Sequence, residues 1–288
     1  MKLRSLAPWY GAKRAMADVI CKTLGRHRAY WELFCGSAAV LFAKRPASHE
    51  TINDLHSDLT NLAWVVQSDR WAELADRVER SVMAEELYQA AESKLAEAFD
   101  SGPDIGPAAA DRAYWFLVRS WWGRNGMAGI RGRSGSGLAV RFTSGGGHGG
   151  VRWRSVGESL PAWHARLKPV VILRRDAFEI LDSIKDQPGT AIYLDPPYLA
   201  KSAKYVHDFD DQDHDRLAAS VNRFQRARVI VSYYDHPRLS ELYGGWVKLD
   251  CARLKNMAQA GEFAPAPGVA SVAPEVLLVN GGVTRELF

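Results

Sequence analysis

The sequence predicts an α/β fold in which helices cover a mostly parallel β-sheet. Short apolar runs bounded by turn residues alternate with amphipathic stretches of helical length, which is the pattern of such a sheet. The chain has 288 residues, 47% of them hydrophobic and 24% charged, so it can bury the core of one large domain or two smaller ones. Its longest apolar runs, such as 170–173 and 276–279, are strand-sized and far shorter than the roughly 20 residues of a membrane helix.

Each element follows from its local pattern, taken in chain order. Apolar and β-branched runs between turn residues predict strands over 29–34, 50–53, 170–174, 191–195, 227–232 and 275–280. Apolar residues at three- and four-residue spacing predict helices over 13–24, 38–44, 57–68, 71–80, 84–99, 177–184 and 212–224. The stretch 101–107, with its Gly and Pro residues, interrupts the helical pattern before another helix begins near Ala108. We find no internal repeat.

Cysteine and histidine usage argues against a structural metal or a disulfide scaffold. The three cysteines form no Cys-x-x-Cys pair, and no His/Cys cluster has zinc spacing. The acidic residues between 208 and 213 look superficially like a metal site, but the helix dipole also favours acids at a helix start, and we predict that role. Lys13 and Arg14 lie where a signal peptide would need its apolar stretch. We therefore expect a cytoplasmic protein with no membrane partner.

One segment, residues 112–157, differs in composition from the rest of the chain. It has no Asp, Glu or Lys in 46 residues, yet it holds eight Arg, twelve of the 24 glycines and four of the ten tryptophans. It carries +8, which leaves −4 for the remainder of a chain of net charge +4. A flexible, solvated loop is one interpretation. We favour nucleic-acid binding, because Arg pairs with phosphates and base edges, Trp stacks, and Gly permits close approach. The arginines are Arg112, Arg119, Arg124, Arg131, Arg133, Arg141, Arg152 and Arg154.

The most specific motif is Asp195-Pro196-Pro197-Tyr198, which directly follows the apolar run 191–194. Ligands of open α/β sheets bind at the carboxyl ends of the strands. The prolines stiffen the turn and lack N–H groups, so the Asp195 carboxylate and nearby carbonyl groups form a cluster of acceptors. Such acceptors suit the two hydrogens of an exocyclic amine, and Tyr198 can stack on the ring that bears it. A purely structural turn would not need this set.

A second motif, near the N-terminus, predicts a nucleoside site. Residues 30–38 run from a strand through small residues beginning at Gly36 into a helix, so a cofactor can lie against backbone N–H groups at the helix start. The next strand ends in Asn53 and Asp54, where an acid can take ribose hydroxyls. The turn lacks a complete Gly-x-Gly-x-x-Gly, which disfavours a dinucleotide.

Four elements in this order resemble the Dam-like adenine-specific DNA methyltransferases. They are Pro8 to Lys13, similar to the family's Trp-x-Gly-Gly-Lys; Phe34 to Ala38 with Asn53 and Asp54, similar to Phe-x-Gly-x-Gly and its acidic strand end; Asp176-Ala177-Phe178, similar to Asp-x-Phe; and Asp195 to Tyr198. Weaker matches continue through Tyr205, His214, 231–234 and 275–277. Ala12 and Ala38 replace family glycines, and because both are small we expect altered cofactor affinity with retained function.

The resemblance implies a Rossmann-like, S-adenosylmethionine-dependent methyltransferase sheet with an inserted, mainly helical target-recognition region. The two halves of the catalytic domain would be 1–80 and 165–288, and the insert 81–164. The implied cofactor-binding residues are Trp9, Tyr10, Gly11, Lys13, Phe34, Gly36, Asn53, Asp54, Asp176 and Phe178, with Lys13 near the methionine carboxylate, Asp54 on the ribose and Asp176 on the cofactor's adenine. The implied catalytic residues are Asp195, Pro196, Pro197 and Tyr198. We expect DNA contacts from Arg119, Arg124, Asn125, Arg131, Arg133, Arg141 and Arg152.

The implied reaction is methyl transfer from S-adenosylmethionine to the exocyclic amine of adenine in a specific double-stranded DNA sequence, with the base flipped out of the helix. No metal is required. We expect a monomer in the cytoplasm of a bacterial cell or phage-infected host, associated with the nucleoid. A partner restriction endonuclease is compatible with this assignment.

Several alternatives share parts of this pattern. Enzymes that methylate the cytosine amine, RNA or a protein glutamine use similar Pro-Pro-Tyr turns, and the acid-free basic segment disfavours the protein substrate. A DNA-binding regulator without catalysis is the alternative from a different class. Intact Lys13, Asp54, Asp176 and Asp195 argue against it.

Overall fold

A computed structural model describes residues 5–9, 11–97, 106, 108–123, 137–139, 149–199, 208–251 and 274–281. Within them one sheet has seven strands in the order β3-β2-β1-β4-β5-β7-β6. The strands are β1 (Ala29–Glu32), β2 (His49–Asn53), β3 (Val171–Leu173), β4 (Thr190–Leu194), β5 (Arg228–Tyr234), β6 (Val247–Asp250) and β7 (Glu275–Val279). The first five run parallel, and β7 lies antiparallel between β5 and β6. This confirms the predicted Rossmann-like α/β class.

Ten α-helices are present in the described residues, together with a 3-10 turn at Lys13–Ala15. They are α1 (Ala17–Leu24), α2 (Ala39–Ala43), α3 (Ser57–Gln67), α4 (Trp71–Arg80), α5 (Glu85–Glu97), α6 (Ala109–Trp122), α7 (Gly149–Leu167), α8 (Ala177–Ser183), α9 (Asp211–Asn222) and α10 (Leu239–Leu242). No helix of the described residues is long and apolar enough to cross a membrane.

The sheet topology decides where a ligand can bind. β1 and β4 are neighbours at the centre, and the chain moves outward from β1 through β2 to β3 and from β4 to β5. The strand order therefore reverses between β1 and β4, and a crevice opens there at the carboxyl ends of the parallel strands. Every residue of β4 is buried, as a central parallel strand covered on both faces requires. Asp195 follows β4 directly and so lies at this crevice.

All six predicted strands are confirmed, but β6, α7 and α10 were not predicted. β6 and α10 have only four residues each, too few for a clear period. α7 contains three glycines and Pro161, and its start fell inside the Arg/Gly-rich segment. It nevertheless buries Trp153, Val156, Leu160, Trp163 and Leu167, an apolar stripe at three- and four-residue spacing. This spacing predicts a helix, but the many Gly and Arg residues at the start of α7 obscured it.

Helices α5, α6 and α7 pack together with helices α3 and α4. α6 packs against α3 and α5, and α7 packs against α3 and α4. Arg112 of α6 is buried against Asp58 of α3, with 2.6 Å between Nε and Oδ1. One hydrophobic core therefore joins these helices to β1 and β2.

Candidate active site

A cavity of about 480 Å³ lies at the carboxyl ends of the parallel strands, at the crevice between β1 and β4. Cavities of roughly 300–1,000 Å³ are typical of small-molecule sites. Every predicted cofactor-binding or catalytic residue that the structure describes lines it; only Tyr10 lies outside the described residues. These residues are Trp9, Gly11, Lys13, Phe34, Gly36, Asn53, Asp54, Asp176, Phe178, Asp195, Pro196, Pro197 and Tyr198.

The turn after β1 depends on the backbone conformation of Gly36. Its backbone has φ +47°, a left-handed conformation that costs other residues energy. Its N–H donates to Asp54 Oδ2 at 2.8 Å, which ties the ends of β1 and β2 together. A Cβ atom at this position would lie 3.1 Å from the Trp9 ring. Gly36 is therefore required both by its conformation and by the close approach of Trp9.

Asn53 and Asp54 are engaged with the backbone around them. Asn53 Nδ2 donates to the carbonyl oxygens of Leu33 and Arg175 at 3.0 Å each, and Oδ1 accepts the Arg175 N–H at 2.9 Å. The Asn53 side chain thus braces the ends of β1, β2 and β3. Asn53 also lines the cavity, so its contact with a cofactor stays a prediction. Asp54 accepts from the N–H groups of Gly36 and His56.

Aromatic rings form one wall of the cavity. The Phe178 ring stacks on the Phe209 ring with a centroid separation of 5.8 Å, and the Arg216 guanidinium lies 4.1 Å from the Phe178 centroid. Phe34 meets Phe209 edge-on at 5.6 Å. Asp176 caps α8 by accepting the Phe178 N–H at 2.7 Å. Sequence reasoning missed Phe209, because it stands alone before an acidic helix start and belongs to no motif.

That acidic helix start is confirmed. Asp210 and Asp213 form a capping box at the beginning of α9, and no metal-binding cluster of His, Cys, Asp and Glu occurs among the described residues.

The Asp195 carboxylate lies at the centre of a buried hydrogen-bonded cluster. Oδ2 is 2.7 Å from Lys13 Nζ. Oδ1 accepts from Ser232 Oγ at 2.6 Å and lies 3.1 Å from the Tyr198 hydroxyl. Lys13 also donates to the Gly11 carbonyl at 2.8 Å and lies 3.4 Å from Glu275 Oε1. The structure therefore pairs Lys13 with Asp195, and the contact with the methionine carboxylate that the resemblance implies for Lys13 stays a prediction.

Tyr198 also belongs to this cluster. Its hydroxyl lies 3.2 Å from Glu275 Oε1, its ring meets the Tyr234 ring edge-on at 4.5 Å, and Lys13 Nζ lies 5.1 Å from the ring centroid. Ser232, Tyr234 and Glu275 were not predicted as site residues. Each lies at the end of β5 or the start of β7, and only the pairing of these strands brings them to Asp195.

For both Lys13 and Asp195, burial and charge pairing have opposite effects on the pKa. Burial lowers the pKa of Lys13, but Asp195 and Glu275 outweigh it and raise the pKa above its usual value, so Lys13 is charged. Burial raises the pKa of Asp195, and the opposing effects of Lys13 and Ser232 do not fully cancel it. Burial also raises the pKa of Glu32, at the end of β1, to about 8. Lys13 is thus the buried cation that offsets part of the effect of burial on the pKa of Asp195.

The predicted DNA-binding residues lie largely outside the described residues. This applies to Arg124, Asn125, Arg131, Arg133 and Arg141. Arg119 is paired with Glu92 of α5 at 2.9 Å, both side chains being mostly buried, and Arg152 is half-buried on α7.

These contacts change the charge expected of the basic segment. Like Arg119, Arg112 is neutralised by an acid from outside the segment. Both therefore support the packing of the helices, and the +8 counted from the sequence overstates the charge that the segment presents to a partner.

Comparison with known proteins agrees with this geometry. A family model described as the D12 class N6 adenine-specific DNA methyltransferase matches residues 9–257, which include the Gly36 turn and the Asp195 turn. No curated protein matches the chain. The match confirms the predicted enzyme class and the adenine specificity over the cytosine, RNA and protein alternatives. The chain belongs to the family of D12 class N6 adenine-specific DNA methyltransferases.

Proposed function

We propose that the protein transfers a methyl group from S-adenosylmethionine to the exocyclic amine of an adenine within a specific sequence of double-stranded DNA. One observation carries the proposal: a single cavity joins the Gly36 turn to the Asp195 turn. A donor held at the first and a base held at the second would share one space, and holding two reactants in position is a large part of catalysis.

The residues of the cavity fit S-adenosylmethionine, which supplies an electrophilic methyl group on a sulfonium. Seven acidic side chains and one lysine line the described part of the cavity, so it favours a cationic ligand even with Glu32 protonated. The buried Ser37 hydroxyl, next to Gly36, has no hydrogen-bond partner among the described residues. It is available to a polar group of the cofactor. Phe178 would pack beside the cofactor's adenine, and Asp54 would lie on the ribose side.

Substituting Gly36 should weaken cofactor binding specifically. We expect Gly36→Ala to lower the affinity for S-adenosylmethionine about tenfold, or about 1.4 kcal/mol, because the new Cβ must displace the Trp9 ring. Gly25→Ala is the matched control, since Gly25 also has positive φ but a Cβ added there would meet no atom within 4 Å. Both variants should lose roughly 1–3 kcal/mol of stability through backbone strain. Calorimetric titration measures the affinity for S-adenosylmethionine, and urea unfolding measures the loss of stability. If Gly36→Ala and Gly25→Ala bound S-adenosylmethionine equally well, the proposed role of Gly36 would be contradicted.

The residues around Asp195 would hold the target adenine. The Asp195 carboxylate and the Pro196 carbonyl can accept the two amine hydrogens, which would help localise the nitrogen lone pair for attack. Tyr198 and Tyr234 offer aromatic surface to the base. Because the amine is inside the duplex, the base must be flipped out, at a cost of a few kcal/mol. We propose a monomer as the active unit, because a single chain forms the cavity that joins the two turns.

DNA binding would rest on the basic segment of the insert 81–164. We expect Arg131→Ala/Arg133→Ala to weaken DNA binding and to reduce the slope of log affinity against log salt by about 2. Arg26→Ala/Arg226→Ala is the matched control, because these two exposed arginines lie at the opposite end of the sheet. Fluorescence anisotropy over a salt series measures both slopes. If the first double variant kept the wild-type slope, the segment would not be the DNA-contacting element.

Labelling tests the function directly. The purified protein is incubated with double-stranded DNA, single-stranded RNA and tritiated S-adenosylmethionine, and the labelled nucleoside is identified. Label in N6-methyladenine of DNA, at one sequence on long-read sequencing, supports the proposal. Label in cytosine or RNA, or none under conditions where the protein is folded, would contradict it.

A further inference from the structure

Glu275 is a buried carboxylate of the active site that the reaction described above does not use. It begins β7, and its pairing partner in the register of the sheet is Tyr234 of β5. Its Oε1 atom lies 3.4 Å from Lys13 Nζ and 3.2 Å from the Tyr198 hydroxyl. Lys13 therefore lies between two carboxylates, those of Asp195 and Glu275, at unequal distances.

The contacts of Asp195 create a difficulty for the incoming base. Oδ1 already has the hydroxyl groups of Ser232 and Tyr198 within hydrogen-bond distance, and Oδ2 is paired with Lys13. The contact with Lys13 is charge-assisted and short, and such bonds are stronger than those between neutral groups. The remaining lone pair of the carboxylate is on Oδ2, so an adenine amine would bind the oxygen that Lys13 holds and would weaken that contact. Leaving a buried ammonium without a counter-charge would be costly.

We propose that Glu275 is a positioning residue that receives the Lys13 ammonium when the target adenine engages Asp195, and that holds the Tyr198 hydroxyl meanwhile. The inference rests on the proposed function of the Asp195 turn. A short shift of Nζ from Asp195 toward Glu275 leaves the ammonium paired throughout and releases Oδ2 for the amine. The cation also stays close enough to favour the ionised form of Asp195.

The charge of Glu275 can be separated from its shape. A glutamine has the same size and keeps an oxygen that can accept from the Tyr198 hydroxyl, but it offers no charge to Lys13. If Glu275 only braced β7 and Tyr198, Glu275→Gln would be close to wild type. If it receives Lys13, the variant leaves Asp195 as the sole counter-charge, and the ammonium stays on the oxygen that the adenine needs.

The matched control is Asp235→Asn. Asp235 follows β5, its N–H donates to the Pro274 carbonyl beside Glu275, and its carboxylate pairs with Lys248 at the surface, outside the cavity. The two substitutions thus remove one negative charge each from neighbouring positions. Single-turnover methylation of a duplex should slow about tenfold or more in Glu275→Gln and stay unchanged in Asp235→Asn. Affinities for S-adenosylmethionine and for DNA should be unchanged in Asp235→Asn and should change much less than the rate in Glu275→Gln.

Two further variants test whether Glu275 acts through Lys13. Glu275→Asp, which keeps the charge, should recover most of the rate. Lys13→Gln/Glu275→Gln should be no slower than Lys13→Gln alone, because two residues that act as one unit are not additive. Additive losses, or a Glu275→Gln rate equal to that of Asp235→Asn, would overturn the inference while leaving the proposed function standing.

A measurement without turnover completes the test. The Lys13 side chain is followed by NMR of ¹³C-labelled lysine, assigned with Lys13→Gln. Because Glu275 raises the pKa of Lys13, Glu275→Gln should lower it by about one unit, and Asp235→Asn should not. An unchanged Lys13 pKa in Glu275→Gln would overturn the inference, whether or not the wild-type protein methylates DNA. Absence of methylation by the wild-type protein would count against the proposed function instead.

Discussion

Asp195→Asn is expected to lower the single-turnover rate of adenine methylation by about 10²–10³-fold, the usual loss when one preorganised polar contact to the reacting group is removed. Asparagine keeps the shape of the side chain and one acceptor oxygen. It loses the negative charge that balances Lys13 at 2.7 Å and that, under the proposed function, would polarise the amine. The loss should therefore fall on the chemical step.

The affinity for S-adenosylmethionine should change little in Asp195→Asn, because Asp195 contacts Lys13, Ser232 and Tyr198, and none of these belongs to the Gly36 turn or to the aromatic wall. Asp215→Asn is the matched control: Asp215 is largely exposed and pairs with Arg238 on the surface, where such pairs contribute at most about 1 kcal/mol. Rapid-quench methylation and calorimetric titration measure rate and affinity. Full activity in Asp195→Asn would refute the assignment of this turn as the target-base site.

Glu50→Gln is expected to have the largest effect on stability, lowering the free energy of unfolding by about 3–5 kcal/mol, the cost of breaking a buried charge pair. Glu50 begins the buried part of β2 and is bound by two cations. Arg166 of α7 donates to both carboxylate oxygens, at 2.5 and 2.9 Å, and Lys44 donates to one of them. All three side chains are buried. Glu50→Gln therefore leaves the buried cations Arg166 and Lys44 without the negative charge that pairs with them.

The pH dependence of this effect has a definite sign. Burial would raise the pKa of Glu50, but the hydrogen bonds from Arg166 and Lys44 outweigh it and lower the pKa below 4.5. A carboxyl with a lower pKa in the folded state stabilises the protein above its unfolded pKa and loses that contribution as the pH falls through the folded value. The stability difference between wild type and Glu50→Gln should therefore be full at pH 7 and shrink below about pH 4.5.

Urea unfolding at several pH values measures this difference. Glu97→Gln is the control, because Glu97 is exposed and pairs with Lys94 within α5, where a pair contributes only about 0.3–0.5 kcal/mol. A loss below about 1 kcal/mol in Glu50→Gln at pH 7 would show that the buried cluster contributes little. Since Arg166 lies at the end of α7, this cluster also fastens the last helix before β3 to the sheet.

Local sequence patterns determined the frame of this protein. The apolar runs predicted β1 to β5 and β7, and the motifs at the ends of β1, β2 and β4 predicted which side chains would line the cavity. These features could be predicted because the period of a strand and the residues of a turn act within one short segment. The rule that ligands bind at the carboxyl ends of parallel strands then brought separate motifs to one place.

The tertiary structure alone decided the partners of the charged residues. Lys13 meets Asp195 and Glu275, and Arg119 meets Glu92, across long stretches of chain, and no local pattern encodes such pairs. Charge counted along the segment 112–157 treated every arginine as exposed, whereas burial against acids of α3 and α5 neutralises two of them. Electrostatic interactions depend on distance and burial, and both are set by the packing of strands and helices that are remote in sequence.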